Sequence, residues 1–140
     1  MEVKTPVRPH GTLVALILAV VTVGVFWSLR NYGPESAIRE FHEAILLNDP
    51  REFEHVCLDV QSPATQVLAL RVSSLIRRGA TYRLIRVDRS PRKVFADAQY
   101  VLPNGFRVQL IFVVQKDLHQ WKINTDESER IVRESFGMEP

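Results

Sequence analysis

Cysteine is almost missing from this chain: Cys57 is the only one, so no internal disulfide can form, and its lone thiol neither supports nor opposes export. No set of His, Cys, Asp and Glu residues has the spacing of metal ligands. There is no glycine-rich phosphate loop and no nucleophile elbow either. The sequence therefore gives no footing for metal, nucleotide or acyl-transfer chemistry, and neither a cofactor nor a metal is expected. Repeats, low-complexity tracts and long linkers are absent too. Charge is missing from one stretch in particular: Thr12–Leu29 (TLVALILAVVTVGVFWSL) holds none over 18 residues.

That run is what is there in place of the missing features. A bilayer core of about 30 Å needs about 20 helical residues at 1.5 Å each. Phe26 and Trp27 close the run, where amphipathic rings favour the headgroup region. A cleavable signal has a shorter apolar core followed by a small-x-small site. Here the small pair Thr22 and Gly24 lies inside the run, with Phe26, Trp27 and Leu29 after it. No cysteine follows for lipid attachment. An uncleaved anchor is the expectation, with a cleaved signal as the alternative. Lys4 and Arg8 precede the run, whereas Arg30 and Arg39 after it are interleaved with Glu35 and Glu40. The expected layout is a cytoplasmic arm over residues 1–11, the span over 12–29, a linker over 30–33, and one extracytoplasmic domain over 34–140. A linker this short places the domain close to the membrane.

Within the domain, Pro34 suits a first helical position, and Ala37, Ile38, Phe41, Ala44 and Ile45 recur at helical spacing. Asn48-Asp49-Pro50 ends that helix and starts a second, with Asp49 as N-cap and an apolar side of Phe53, Val56 and Cys57. Ser62-Pro63 opens a third, which runs to Gly79 and buries Ala64, Leu68, Val72, Leu75 and Ile76. The period then changes to alternation over Thr81–Asp88, Lys93–Leu102, Phe106–Gln115 and His119–Thr125, four strands joined by short turns. A last amphipathic helix covers about Glu127–Phe136. The predicted class is α+β: an N-terminal transmembrane helix, three helices packed on a curved four-stranded antiparallel meander, and a short C-terminal helix.

Leu102-Pro103-Asn104-Gly105 sets the pairing of the middle strands. Pro103 has no N–H to give to a ladder and suits position i+1 of a type I turn, with Gly105 taking the left-handed position as a bulge. Leu102 then faces Phe106, Tyr100 faces Val108, Ala98 faces Leu110, Ala96 faces Phe112 and Val94 faces Val114. The inward face is thus apolar apart from one tyrosyl hydroxyl, and Asp97, Gln99, Arg107 and Gln109 point outward.

The segment FHEAILLNDPREFEHVCLD looks like the opening helices of the nuclear transport factor 2-like superfamily, and VQKDLHQWKINT resembles its last hairpin and strand. The resemblance covers residues 34–126 and implies a cone: a bent sheet around a long helix, often with an apolar cavity. It further implies two kinds of membrane-anchored relative, poorly characterised bacterial domains and the bitopic scaffold subunits of type IV secretion machines. Enzymes of the superfamily, such as ketosteroid isomerases and scytalone dehydratase, place a carboxylate or histidine inside the cone beside tyrosines. In this chain Asp97 is the only carboxylate in the central strands, and the turn directs it outward. His42 borders the inward stripe, as a cavity-mouth group or a locally bonded boundary histidine. Tyr82 and Tyr100 are ligand hydroxyls or core fillers. No catalytic residue is assigned. A hollow cone would be lined by Ala96, Ala98, Tyr100, Phe112, Trp121 and His42.

Charge is uneven. Arg71, Arg77, Arg78, Arg83, Arg86, Arg89, Arg92 and Lys93 fall in one stretch with Asp88 as the only acid, while residues 35–59 are acidic. The basic stretch suits anionic headgroups or an acidic partner, or else a solvated face neutralised by the acidic helices. Nucleic acid is not an expected partner, because stacking aromatics are few there. The function expected is a single-pass membrane protein displaying a non-enzymatic partner- or ligand-binding domain, its partner a membrane protein or a second copy. The alternatives are an assembly scaffold or an isomerase- or dehydratase-like enzyme.

Overall fold

The computed structural model describes residues 9–31 and 33–137. Lys4 and Arg8 of the expected cytoplasmic arm, Tyr32 of the linker and the last three residues lie outside the described residues. The chain divides into two compact units, residues 1–32 and 33–140.

The described residues of the first unit form a helix, α1 (Pro9–Asn31). Its window Gly11–Ser28 has a mean hydropathy of 2.2, and none of it is buried against protein. At 1.5 Å per residue those 18 residues are about 27 Å long, so length and composition suffice to cross a membrane. The one hydroxyl at mid-helix, on Thr22, donates to the Leu18 carbonyl at 2.7 Å and so carries no unmet donor.

The second unit is α+β, with the order α2 (Pro34–Leu47), α3 (Pro50–Val56), α4 (Pro63–Arg77), β1 (Thr81–Arg89), β2 (Lys93–Val101), β3 (Arg107–Asp117), β4 (Gln120–Ile123) and α5 (Thr125–Ser135). Each of the first three helices opens on proline at its first turn, where the missing N–H costs nothing. Asp49 accepts from the Arg51 amide at 2.9 Å and Ser62 from the Ala64 amide at 3.2 Å, which caps α3 and α4. Asn48 ends α2 in the left-handed region at φ 52°. At the end of α4, Gly79 (φ 79°) lets its own N–H reach the Ile76 carbonyl and the Ala80 N–H reach Leu75. A side chain there would meet the Pro103 ring at 3.3 Å, so glycine serves both the turn and the close approach of the β2–β3 loop.

The sheet is a meander in the order β1-β2-β3-β4, antiparallel throughout. The β2–β3 register is the one that Pro103 implies: Tyr100 opposite Val108, Ala98 opposite Leu110, Ala96 opposite Phe112 and Val94 opposite Val114. Gly105 takes φ 82°, and its N–H bonds the Leu102 carbonyl at 2.9 Å. Two boundaries differ from expectation for one reason. Asn124 accepts from the Glu127 amide and caps α5, so β4 ends at Ile123 and Thr125 belongs to the helix. β1 also carries a bulge between Leu84 and Arg86 that alternation alone does not reveal.

The core lies between α2, α4 and the inward face of β2 and β3. Ile38, Phe41, Leu68 and Val72 pack on Ala96, Ala98, Tyr100, Leu110 and Phe112. Phe41 meets Phe53 and Phe112 edge-on, with ring centroids 5.8 and 6.0 Å apart. The opposite face is not wholly polar: Val113 is fully buried. Where β4 stops, α5 takes over the edge of β3, the Ser128 hydroxyl accepting from the Val113 amide at 2.8 Å.

Candidate functional site

Residues named from the sequence as a cavity lining occupy two places. Ala96, Ala98, Tyr100 and Phe112 lie together on the inward face, fully buried against α2. Trp121 lies opposite Lys116, beyond the Val114–Ile123 pair, whereas Tyr100 lies opposite Val108. The six residues from Val108 to Val114 span about 20 Å of strand, so the tryptophan and the tyrosine sit at opposite ends of the sheet. Trp121 is half-buried, with the Lys116 ammonium 5.9 Å from its ring centroid.

His42 lies deeper than a boundary position, 4% exposed. Its Nδ1 is 2.6 Å from the Ile38 carbonyl and its Nε2 is 2.6 Å from the Tyr100 hydroxyl. A carbonyl only accepts, so Nδ1 carries the proton, and Nε2 of the neutral ring accepts from Tyr100. Tyr82 of β1 stacks over the imidazole at 3.9 Å with the rings nearly parallel, and the residue is 36% exposed. Burial pushes the His42 pKa down, which favours this neutral form, and the backbone bond to Ile38 opposes that shift. Burial raises the Tyr100 hydroxyl, and the neighbouring Tyr82 adds to the rise. The trio ties α2 to the sheet through the Nε2–Tyr100 bond and the Tyr82 stack, while Nδ1 is held within α2 by Ile38. Asp97 points to the other face and accepts from the Gln109 amide at 3.2 Å.

The basic stretch does not form one face. Arg71 of α4 pairs with buried Glu129 of α5 at 2.9 Å, Lys93 pairs with Glu127 at 2.7 Å, and Arg89 pairs with Glu35 at the start of α2. These three join elements inside the domain. Arg83 and Arg86 project from the outward face of β1, bonded to Gln99 and Asp88. Arg77 and Arg78 end α4, and Arg92 lies in the turn after β1; all three are exposed.

Two open concave features border the helices. A groove of about 630 Å³ runs between α2, α3 and α4, walled by Ile45, Leu46 and Phe53 on one side and by Ala69, Leu70 and Ile76 on the other. Asn48, Gln66, Ser73 and Arg77 complete it. Leu46 and Leu70 in its walls are 67% and 69% exposed, and the neighbouring Leu47 is 70% exposed. A second hollow, about 450 Å³, lies across α4 between Leu70, Leu75, Val108, Leu110 and Phe136. The leucines were not among the residues singled out from the sequence, although a signal was present. Leu46 and Leu47 continue past the inward stripe of α2, and Leu70 sits out of phase between Leu68 and Val72. Among the described residues no group of His, Cys, Asp and Glu is placed to hold a metal ion. Compared with protein-family models, with curated proteins and with solved structures, the chain matches none.

Proposed function

We propose that this is a single-pass membrane protein whose domain binds a partner protein through the groove between α2, α3 and α4. The observation that carries the reading is the set of exposed leucines, 46, 47 and 70, at and beside an apolar groove. Exposed apolar side chains clustered around a concavity mark an interaction surface more often than scattered ones do. The groove matches the apolar face of a partner helix, recognised through anchors spaced by one helical turn. In this reading α1 is a retained anchor, its N-terminus is cytoplasmic and the domain lies outside; the lysine and arginine before the run support that orientation. The domain is nuclear transport factor 2-like in this reading, which its three helices followed by a four-stranded meander support. Chemistry has little to work with: both ring nitrogens of His42 are engaged and Asp97 faces outward.

Photocrosslinking tests the reading in the cells that make the protein, with a benzophenone side chain at position 70 and, as control, at the exposed position 130. A discrete protein adduct from position 70 and none from position 130 is the expected result. Adducts to lipid alone, or equal adducts from both positions, would overturn it.

A further inference from the structure

β1 is an edge strand of nine residues, and among the described residues nothing pairs with its far side. The ladder fixes which groups are left open. Ser90 donates to the Lys93 carbonyl and Leu102 to the Phe106 carbonyl, so odd-numbered residues of β2 bond toward β1 and even-numbered ones toward β3. With the observed register, the N–H and C=O groups of Tyr82, Leu84 and Val87 therefore point away from the sheet. The same three side chains belong to the inward face and are left incompletely covered. Arg83 and Arg86 stand on the outward face between them. The strand is flanked by exposed Arg77 and Arg78 before it and Arg92 after it, with Asp88 the only acid from residue 77 to residue 93.

Arginines and a bulge are what an edge strand uses to repel a second copy of itself. Two such strands side by side would set like charges against each other. The same pattern suits a strand of opposite sign. We propose that the free side of β1 accepts an extended segment of a partner protein, its residues alternating apolar and acidic, as an added fifth strand. Backbone groups of the segment satisfy Tyr82, Leu84 and Val87; its apolar side chains cover those three residues inward, and its carboxylates meet Arg83 and Arg86 outward. This surface meets the helical groove only at Arg77 and does not depend on it.

The probe is a capped nine-residue peptide alternating glutamate and valine, compared with its lysine–valine counterpart. Binding is read by fluorescence anisotropy on the full-length chain in detergent micelles, with empty micelles as the blank. The acidic peptide should bind at least about tenfold more tightly than the basic one, and it should slow amide exchange at Tyr82, Leu84 and Val87. The double variant Arg83→Glu/Arg86→Glu should reverse the preference, and Arg83→Gln/Arg86→Gln should abolish it if the first does not fold. Equal binding of the two peptides, an unchanged preference in the variants, or binding that leaves those three amides unprotected would each overturn the inference. None of these results would bear on crosslinking from position 70.

Discussion

His42 shows how one side chain decides what the inward face is for. A histidine beside two tyrosines on that face resembles the start of a proton relay, and its position one turn from Ile38 and Ile45 put it at the border of the apolar stripe. In the fold, Tyr82 closes over it and Tyr100 donates to it, so it acts as a polar rivet through an otherwise apolar contact. Sequence spacing could not reveal this, because the residue that buries His42 arrives from a strand forty positions away in the chain. The pairing predicts a specific asymmetry. Tyr100→Phe keeps the ring volume but leaves Nε2 of His42 as a buried acceptor without a donor. That should cost about 1–3 kcal/mol in urea unfolding. Tyr82→Phe keeps the stack and removes no bond to His42, so it should stay within about 0.5 kcal/mol. Equal losses in the two variants would show that the Tyr100–His42 bond is not what stabilises this contact.

At the level of elements, the meander was legible because a single proline forbids one pairing and thereby selects another. Pro103 cannot serve in a ladder, so the register from Val94 to Leu102 followed from turn chemistry alone, and with it the inward set Ala96, Ala98 and Tyr100. The far edge of β3 was not legible, since the group that completes it is a hydroxyl in a helix. Ser128 is fully buried, donates to the Asn124 carbonyl at 2.7 Å and accepts from the Val113 amide. α5 thus begins by continuing the pairing that β4 started, with the Asn124 amide bonded to the Val113 carbonyl at 2.8 Å. Ser128→Ala strands a buried backbone N–H and should cost about 1–3 kcal/mol, with faster amide exchange at Val113. Ser135→Ala, at an exposed hydroxyl bonded only within its own helix, should change stability by less than about 0.5 kcal/mol. If the two serines proved equivalent, α5 would not be what seals that edge.

For the molecule as a whole, the two units differ in what they bury. The run Gly11–Ser28 buries nothing against protein and is long and apolar enough to cross a membrane. The unit from residue 33 onward draws its described core from α2, α3, α4, α5 and the sheet. Its opening helix is also started locally, by Pro34 and by the Ser36 hydroxyl on the Gly33 carbonyl at 2.6 Å. Division of the chain at Gly33 should therefore separate solubility from folding. A chain beginning at Gly33 should be soluble without detergent, retain near-UV circular dichroism from its packed aromatics, and unfold in one cooperative urea transition. Its midpoint should match that of the 140-residue chain in micelles, because the described core residues all lie after Gly33. The exposed leucines 46, 47 and 70 remain as a visible difference from an ordinary surface, and Leu46→Glu/Leu70→Glu should leave that midpoint within the range of other surface substitutions. A truncated chain that binds hydrophobic dye and loses its near-UV signal would mean that the helix holds the domain together after all. A large loss of stability in the double glutamate variant would mean that those leucines belong to the core rather than to an interface.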